Sequence, residues 1–538
     1  MSPEWFYLAF IPDIFGDGEQ LFFTLKGGET TLIAPEELEK IDRPIVCFPT
    51  NELLEQLRKT NIKPPTPIND LEYTRKLSVG LPSKAMPKKL WDGWHVLRNY
   101  SKHKNEIEDF RSLFLSKKRF DEIEDIQNIA YFYLIALQSA WLETINLLKE
   151  QGEFDRYFEI EAPVQNLLNV RQSIGIRVNQ TELNEKYNVL RDSKYKAYMR
   201  VAEALNISPS GFTFRSIRDH LNGTELQDLR DGTNVSQFEQ NLKLASSKSR
   251  LATDIYSLLR ADRDLRVLSR LSDVSGRSFP SFTGVGTVTG RILVRNPYVQ
   301  GIRKEFRSIV AAEEGYSLVY LDYDQFEPGI LASLSGDENL KKLYETGDIY
   351  TELAGAVFAD KTKRSDAKQI FNSFLNGMSE DRIAKMLYAG QNDDDGVVSE
   401  ASTCLEVFFS KFPKALRYRE LVRAELLRNG RVATGFGGHR KRSDKGPLSN
   451  KEKRWALNQR IQGTGSLIFK EAILMIAEKL DTISLVLPMH DALLLQAKTE
   501  QLDKDTTVAI KLMSDAMKIR CPDLHPKVSI EDFAANQR

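Results

Sequence analysis

The sequence predicts a mixed α/β protein of several domains, and three observations carry that reading. Short apolar β-rich runs open the chain, two further such runs end in aspartates, and charged stretches with helical spacing lie between them. A length of 538 residues leaves room for about three or four domains, each able to bury a core. Over residues 1–80 the runs FYLAF, LFFTL, TTLIA and PIVCF alternate with turn signals and read as strands; the pattern then turns helical to about residue 150. Residues 181–275 are charged and helix-rich, as in RLATDIYSLLRADRDLRVLSRL. Strands return over 276–340, and helices dominate 341–430. Beyond 430, GRVATGFG reads as a strand, 464–480 as a helix, and the run around Asp491 as a hairpin.

The two aspartates carry the chemistry. SLVYLDYDQFEPG places Asp322 at the end of an apolar run, and ISLVLPMHDALLLQ does the same for Asp491 about 170 residues later. An acid that ends an apolar strand rarely serves stability. Between them KRSDAKQIFNSFLNGMS reads as a helix on which Arg364 and Lys368, four residues apart, share one face. Phosphoryl transfer needs an in-line hydroxyl and neutralised phosphate charge more than covalent help. Two divalent ions about 3.5–4 Å apart meet that need. Magnesium requires only one or two carboxylates beside substrate oxygens, so Asp322 and Asp491 suffice. Arg364 offers a planar fork and Lys368 a point charge for a triphosphate. The residue types point to nucleotidyl transfer.

The motifs resemble those of family A DNA polymerases, the DNA polymerase I group. LDYDQFEPGILASLSGDENL (321–340) is similar to that family's motif A, RSDAKQIFNSFLNGMS (364–379) to motif B, and LPMHDALLLQ (487–496) to motif C. TVTGRI (287–292) with NPYVQGI (296–302) resembles its primer-template block, and NQRIQGTGS (458–466) its N-x-x-x-Q-G-T segment. From about residue 155, EIEAPVQNLLNVRQSIGIRVN resembles the opening of the polymerase domain. Six blocks in the family's order leave little room for chance.

The resemblance implies a right-hand fold: the start of the polymerase domain and the thumb over 151–275, palm over 276–340 and 431–538, fingers over 341–430. It implies two magnesium ions per site, with manganese able to substitute, held by Asp322, Asp491 and the backbone carbonyl of Tyr323. Arg364, Lys368, Gln325, Glu327, Tyr350, Asn372 and Asn376 fall at its nucleotide-binding positions, Glu327 at that of the glutamate excluding a 2′-hydroxyl. Arg291, Gln300, Asn458, Gln462 and His490 fall at primer-template positions, where minor-groove acceptors look alike across base pairs and report pairing geometry. Primer-template DNA and dNTPs are the implied partners of a monomer.

Several positions depart from the pattern. Asn372 and Asn376 stand where the family has aromatic residues, Gly329 replaces an arginine, Tyr350 a phosphate-binding histidine, and Ala492 a glutamate. Phe371 and Phe374 flank the first two, so a small helical rotation would restore an aromatic surface. Such divergence suits a phage, plasmid or other mobile-element enzyme with altered efficiency or nucleotide preference.

Residues 1–150 occupy the place of a 3′–5′ exonuclease domain, and 45–77 resembles its middle section. That chemistry needs about four carboxylates on two metals. WFYLAFIPD lacks the expected acid-x-acid pair and YLIALQSAW the expected aspartate. A degenerate exonuclease-like (RNase H-like) α/β domain without its metal site is expected, Asp70 serving structure, with no 5′ nuclease ahead of it.

Composition agrees. Seventy-five acidic and 75 basic residues cancel, so nucleic-acid binding needs local asymmetry, which the basic run over 431–460 supplies. Three scattered cysteines fit a reducing compartment and argue against zinc or disulfides. No basic leader and no run of ~20 apolar residues is visible, so a soluble cytoplasmic protein of a bacterial or phage-infected cell, without membrane contact, is expected. The expected activity is template-directed primer extension without proofreading. The alternatives are a specialised relative (translesion, template-independent or RNA-templated) and a non-catalytic nucleic-acid-binding derivative.

Overall fold

The structure, a computed structural model, describes residues 4–12, 20–81, 86–115, 123–208, 213–229, 235–246, 249–271, 275–375, 377–387, 395–443 and 445–534. The chain is mixed α/β and divides into two compact units. The first comprises 1–174, 281–293 and 315–531; the second comprises 175–280, 294–314 and 532–538.

The first unit begins with a five-stranded sheet formed by β1 (Phe6–Ile11), β2 (Leu21–Lys26), β3 (Glu29–Ile33), β4 (Ile45–Cys47) and β5 (Ile68–Asp70), in the order β3-β2-β1-β4-β5. β1 pairs antiparallel with β2 and parallel with β4. Its alternation explains the unbroken apolar run: Leu8 and Phe10 enter one core with Leu53 and Leu57 of the Thr50–Lys59 helix. Tyr7, Ala9 and Ile11 enter another, with Tyr133, Leu137 and Trp141 of the Ile123–Gln151 helix. Asp70 accepts from Thr50 N at 3.1 Å and Tyr73 N at 2.8 Å, at the start of two helices.

A second sheet in the same unit is antiparallel. Its order is Ile483–Met489, Ala492–Lys498, Tyr316–Tyr323, Val528–Ile530. The helices Asn450–Lys479 and Leu502–Arg520 pack on it. The 450–479 helix starts well before the expected residue 464. Ser449 and Glu452 form a capping box, and Gly463 and Gly465 do not break the helix. These glycines instead admit neighbours: a Cβ at 463 would lie 2.9 Å from the Thr434 methyl, and one at 465 would lie 3.1 Å from the Phe326 ring. Between the strands, residues 326–429 are helical almost throughout their described length.

The second unit is built on the helices Gln180–Ala204 and Arg250–Leu268, which pack together around Ala197, Val201, Ile255 and Leu258. Ion pairs Lys194–Asp262 and Arg200–Asp254 link them. Among the described residues no helix is long and apolar enough to cross a membrane.

Candidate active site

The central strands set the carboxylates side by side. Asp322 is the cross-strand partner of Ala492, and Tyr323 N donates to the Asp491 carbonyl at 3.4 Å, so Asp491 sits at the turn of the adjoining hairpin. His490 takes the left-handed conformation that closes this turn (φ 55°) and is exposed. The Tyr323 ring stacks on Phe326 and its hydroxyl donates to Met513 O at 2.7 Å, which leaves its backbone at the strand end.

Burial pushes the Asp322 carboxyl up to about 7; Asp491, Glu531 and Asp324 add to the rise, and Lys368 opposes it. Asp322 Oδ1 is buried with no hydrogen-bond partner. An orphaned carboxylate oxygen beside a second carboxylate is a donor set that wants a cation. Among the described residues no group of three or more His, Cys, Asp or Glu side chains could hold a metal alone.

The helix Arg364–Leu375 brings the cations to this site. Lys368 is exposed and lies within electrostatic reach of Asp322. Arg364 is gripped by Asp348, with Nε 3.1 Å from Oδ1 and Nη2 2.7 Å from Oδ2. Both cations lie over the ring of Tyr350.

Gln325 is held by its side chain. Its side-chain carbonyl accepts from Ile349 N at 2.7 Å and its amide donates to Gly347 O at 3.2 Å, so both ends are engaged in holding the turn before Tyr350. Glu327 pairs with Arg291 and is bonded by Gln462, while burial raises its carboxyl above the ordinary value. Three residues expected on nucleotide or primer-template thus meet one another. Asn458 is half-buried with Oδ1 unpartnered, on the same helix as Gln462. Gln300 belongs to the second unit, where it is buried and accepts from Val294 N at 3.0 Å.

The aromatic substitutes on the cationic helix do not appear. Phe371 and Phe374 are buried, Phe374 stacked on Phe409 at 3.8 Å and Phe371 edge-on to Tyr350. No small rotation could free them without opening that core. Asn372 is half-buried on the helix, and Asn376 lies outside the described residues. Gly329 has its own reason: a Cβ there would lie 2.7 Å from the Tyr344 ring, so no arginine fits. Ala492 is buried in the sheet.

A buried polar network ties the 450–479 helix to the N-terminal part of the unit. Lys470 Nζ donates to Glu161 Oε2 at 2.6 Å, Arg156 donates twice to Glu161 Oε1, and the Tyr73 hydroxyl donates to Oε2 at 2.9 Å. Lys470 and Arg156 hold the Glu161 carboxyl below its ordinary value despite complete burial. Glu153 accepts from Gly438 N and His439 N and meets His439 Nδ1 at 2.5 Å. The basic run over 431–460 is partly neutralised: Arg442 pairs with Glu452, and Arg460 with Glu425.

The sequence reading missed Asp348, Glu161, Arg156 and Lys470. Asp348 carries a local signal, since it caps the Ile349–Phe358 helix through Thr351. The others do not.

An antiparallel sheet with paired carboxylates beneath a cationic helix belongs to the palm-and-fingers class of fold that the motifs implied. Comparison with known proteins gives the family. A sequence model described as DNA polymerase family A matches residues 223–531, more than half of the chain, and the chain belongs to that family. It is 28% identical over 399 residues to the thermostable DNA polymerase I of Thermus aquaticus, covering 68% of this chain and 46% of that protein. It is 27% identical over 416 residues to DNA polymerase I of Chloroflexus aurantiacus, covering 71% and 43%. The chain therefore spans about half the length of the curated relatives it matches. Its fold matches the POL domain of Pol1 from M. smegmatis, solved in complex with DNA primer-template and dNTP. The TM-score is 0.77 at 18% identity, over 99% of this chain and 97% of that one.

Proposed function

We propose that the chain is a template-directed DNA polymerase that extends a primer 3′ end with dNTPs, as a monomer, by two-metal nucleotidyl transfer and without proofreading. The observation that carries the reading is the orphaned, partly buried Asp322 carboxylate beside Asp491, with Lys368 in reach. Magnesium bound there would supply charge neutralisation on the phosphates and activation of the primer hydroxyl. Asp322, Asp491 and the Tyr323 carbonyl are the residues to hold it. Arg364 and Lys368 bind the triphosphate, and Glu327, braced by Arg291 and Gln462, closes the space beside the sugar. Asn458, Gln462 and His490 serve the primer-template.

Absence of proofreading is supported by the N-terminal core. Tyr7, Ala9, Phe48, Tyr133 and Leu137 fill the space between β1 and the long helix with apolar contacts. The inward turn of Phe371 and Phe374 leaves Asn372 at the stacking position. Base–aromatic stacking is worth about 1–3 kcal/mol, so nucleotide grip rests more on the phosphates here than in the family at large. That divergence fits a phage or mobile-element setting.

Primer extension on a defined template with Mg²⁺, offering dNTPs or NTPs with and without template, tests the reading. Template-faithful dNTP addition that Asp491→Ala abolishes is the expected result. Primer-template binding with no extension under any nucleotide or metal would replace the reading with a non-catalytic binding protein.

A further inference from the structure

Tyr350 stands where a phosphate-binding histidine is expected, yet it is buried, 4% exposed. Its ring is edge-on to Phe371, with centroids 6.0 Å apart. Over the ring lie both cations: Arg364 Cζ is 5.2 Å and Lys368 Nζ 5.8 Å from its centroid. The turn that carries it is fixed from two sides. Gln325, three residues after Asp322, bonds Gly347 O and Ile349 N, and Asp348 caps the helix while holding Arg364. A short chain of contacts thus runs from the Asp322 strand through Gln325 to Tyr350 and on to the two cations.

We propose that Tyr350 is a positioning residue whose ring seats Arg364 and Lys368 at a fixed spacing from the carboxylates, ready for a triphosphate. The inference rests on the polymerase reading above and deepens it. Two long cationic side chains four residues apart repel each other and carry much rotamer freedom. An aromatic face attracts both and removes part of that freedom before substrate arrives. Asp348 shares the task for Arg364 alone; Lys368 has the ring. The tyrosine does not replace the histidine's contact with phosphate, because its buried ring turns a face to the cations. It replaces that contact with a platform for the groups that bind phosphate.

The test compares Tyr350→Phe, which keeps the ring, with Tyr350→Leu, which removes it. The readouts are KM and kcat for a dNTP, inhibition by inorganic pyrophosphate, and primer-template affinity. Tyr350→Leu is expected to raise KM and the pyrophosphate inhibition constant together by about three- to tenfold, the range of one or two cation–π contacts, with a smaller change in kcat and in primer-template affinity. Tyr350→Phe is expected to restore most of that loss. Tyr350→Met, unbranched and flexible enough to fill an irregular gap, repeats the comparison should Tyr350→Leu fold poorly. Equal impairment of Phe and Leu would assign the effect to the hydroxyl and overturn the proposal, as would wild-type phosphate affinity in Leu and Met. Extension by the wild-type protein is read separately: its absence would overturn the polymerase reading and this inference with it.

Discussion

The two larger sheets of the first unit both bury apolar strands and differ in what stands at their strand ends. In the N-terminal sheet β1 buries both faces, and Tyr7, Ala9 and Ile11 meet Tyr133, Leu137 and Trp141 in one apolar core. In the other sheet the apolar strand ends in Asp322, beside Asp491, with a carboxylate oxygen lacking a partner. The first arrangement is at rest. The second carries the cost of a carboxyl buried away from water and set beside a second carboxylate, and both raise the Asp322 carboxyl. A strand end becomes a site when it keeps a group its surroundings do not satisfy, and it becomes scaffold when packing fills it.

Removing the unsatisfied charge is the largest test of that contrast. Asp322→Asn or Asp491→Ala is expected to lower the extension rate by about a thousandfold or more, about 4 kcal/mol of transition-state stabilisation, while the fold melts no earlier than wild type. Single-turnover kinetics with matched melting curves would show it.

The converse change places charge in the filled core. Ala9→Glu is expected to destabilise the protein by about 3–5 kcal/mol, the cost of an unpaired buried carboxylate, with no nuclease activity gained. Chemical denaturation and a labelled single strand would report the two halves of that outcome.

The link between the two regions comes next. Lys470→Met leaves Glu161 with Arg156 as its remaining cation, and a loss of about 3 kcal/mol is expected. Adding Glu161→Gln to Lys470→Met should cost less than the two single changes summed, as expected of groups in one network, and a denaturation double-mutant cycle measures it.

The smallest effect is one of pH. In the metal-free fold Asp322 stays protonated to about pH 7, against an ordinary value of 3.8. The folded state therefore binds the extra proton between those values, and this group's contribution to stability falls as pH rises across that window. Magnesium favours the ionised form, so its stabilising shift in Tm should be larger at pH 8 than at pH 6. A shift independent of pH would remove Asp322 from the metal site.

Much of this was legible in the sequence. Asp322 and Asp491 stand out because an acid interrupts an apolar run, and Arg364 and Lys368 because helical spacing is local. The β-rich start and the helical middle follow from period alone. Other features were not legible for stated reasons. Glycines 463 and 465 resemble helix breakers until the Thr434 methyl and the Phe326 ring are seen against them. Which side Phe371 and Phe374 face depends on Phe409, more than thirty residues on. Glu161 and Lys470 are 309 residues apart, and no local pattern announces such a pair. Gln325 matched a motif position while its amide was already engaged by backbone.

The most direct measurement follows a 5′-labelled primer with a mismatched 3′ end, in Mg²⁺, with the wild-type protein and Asp491→Ala. If metal chemistry belongs to the Asp322–Asp491 sheet alone, the wild-type protein extends the primer or leaves it whole, and Asp491→Ala leaves it whole. Shortening of the primer by both proteins would place a working nuclease in the N-terminal sheet and contradict the account.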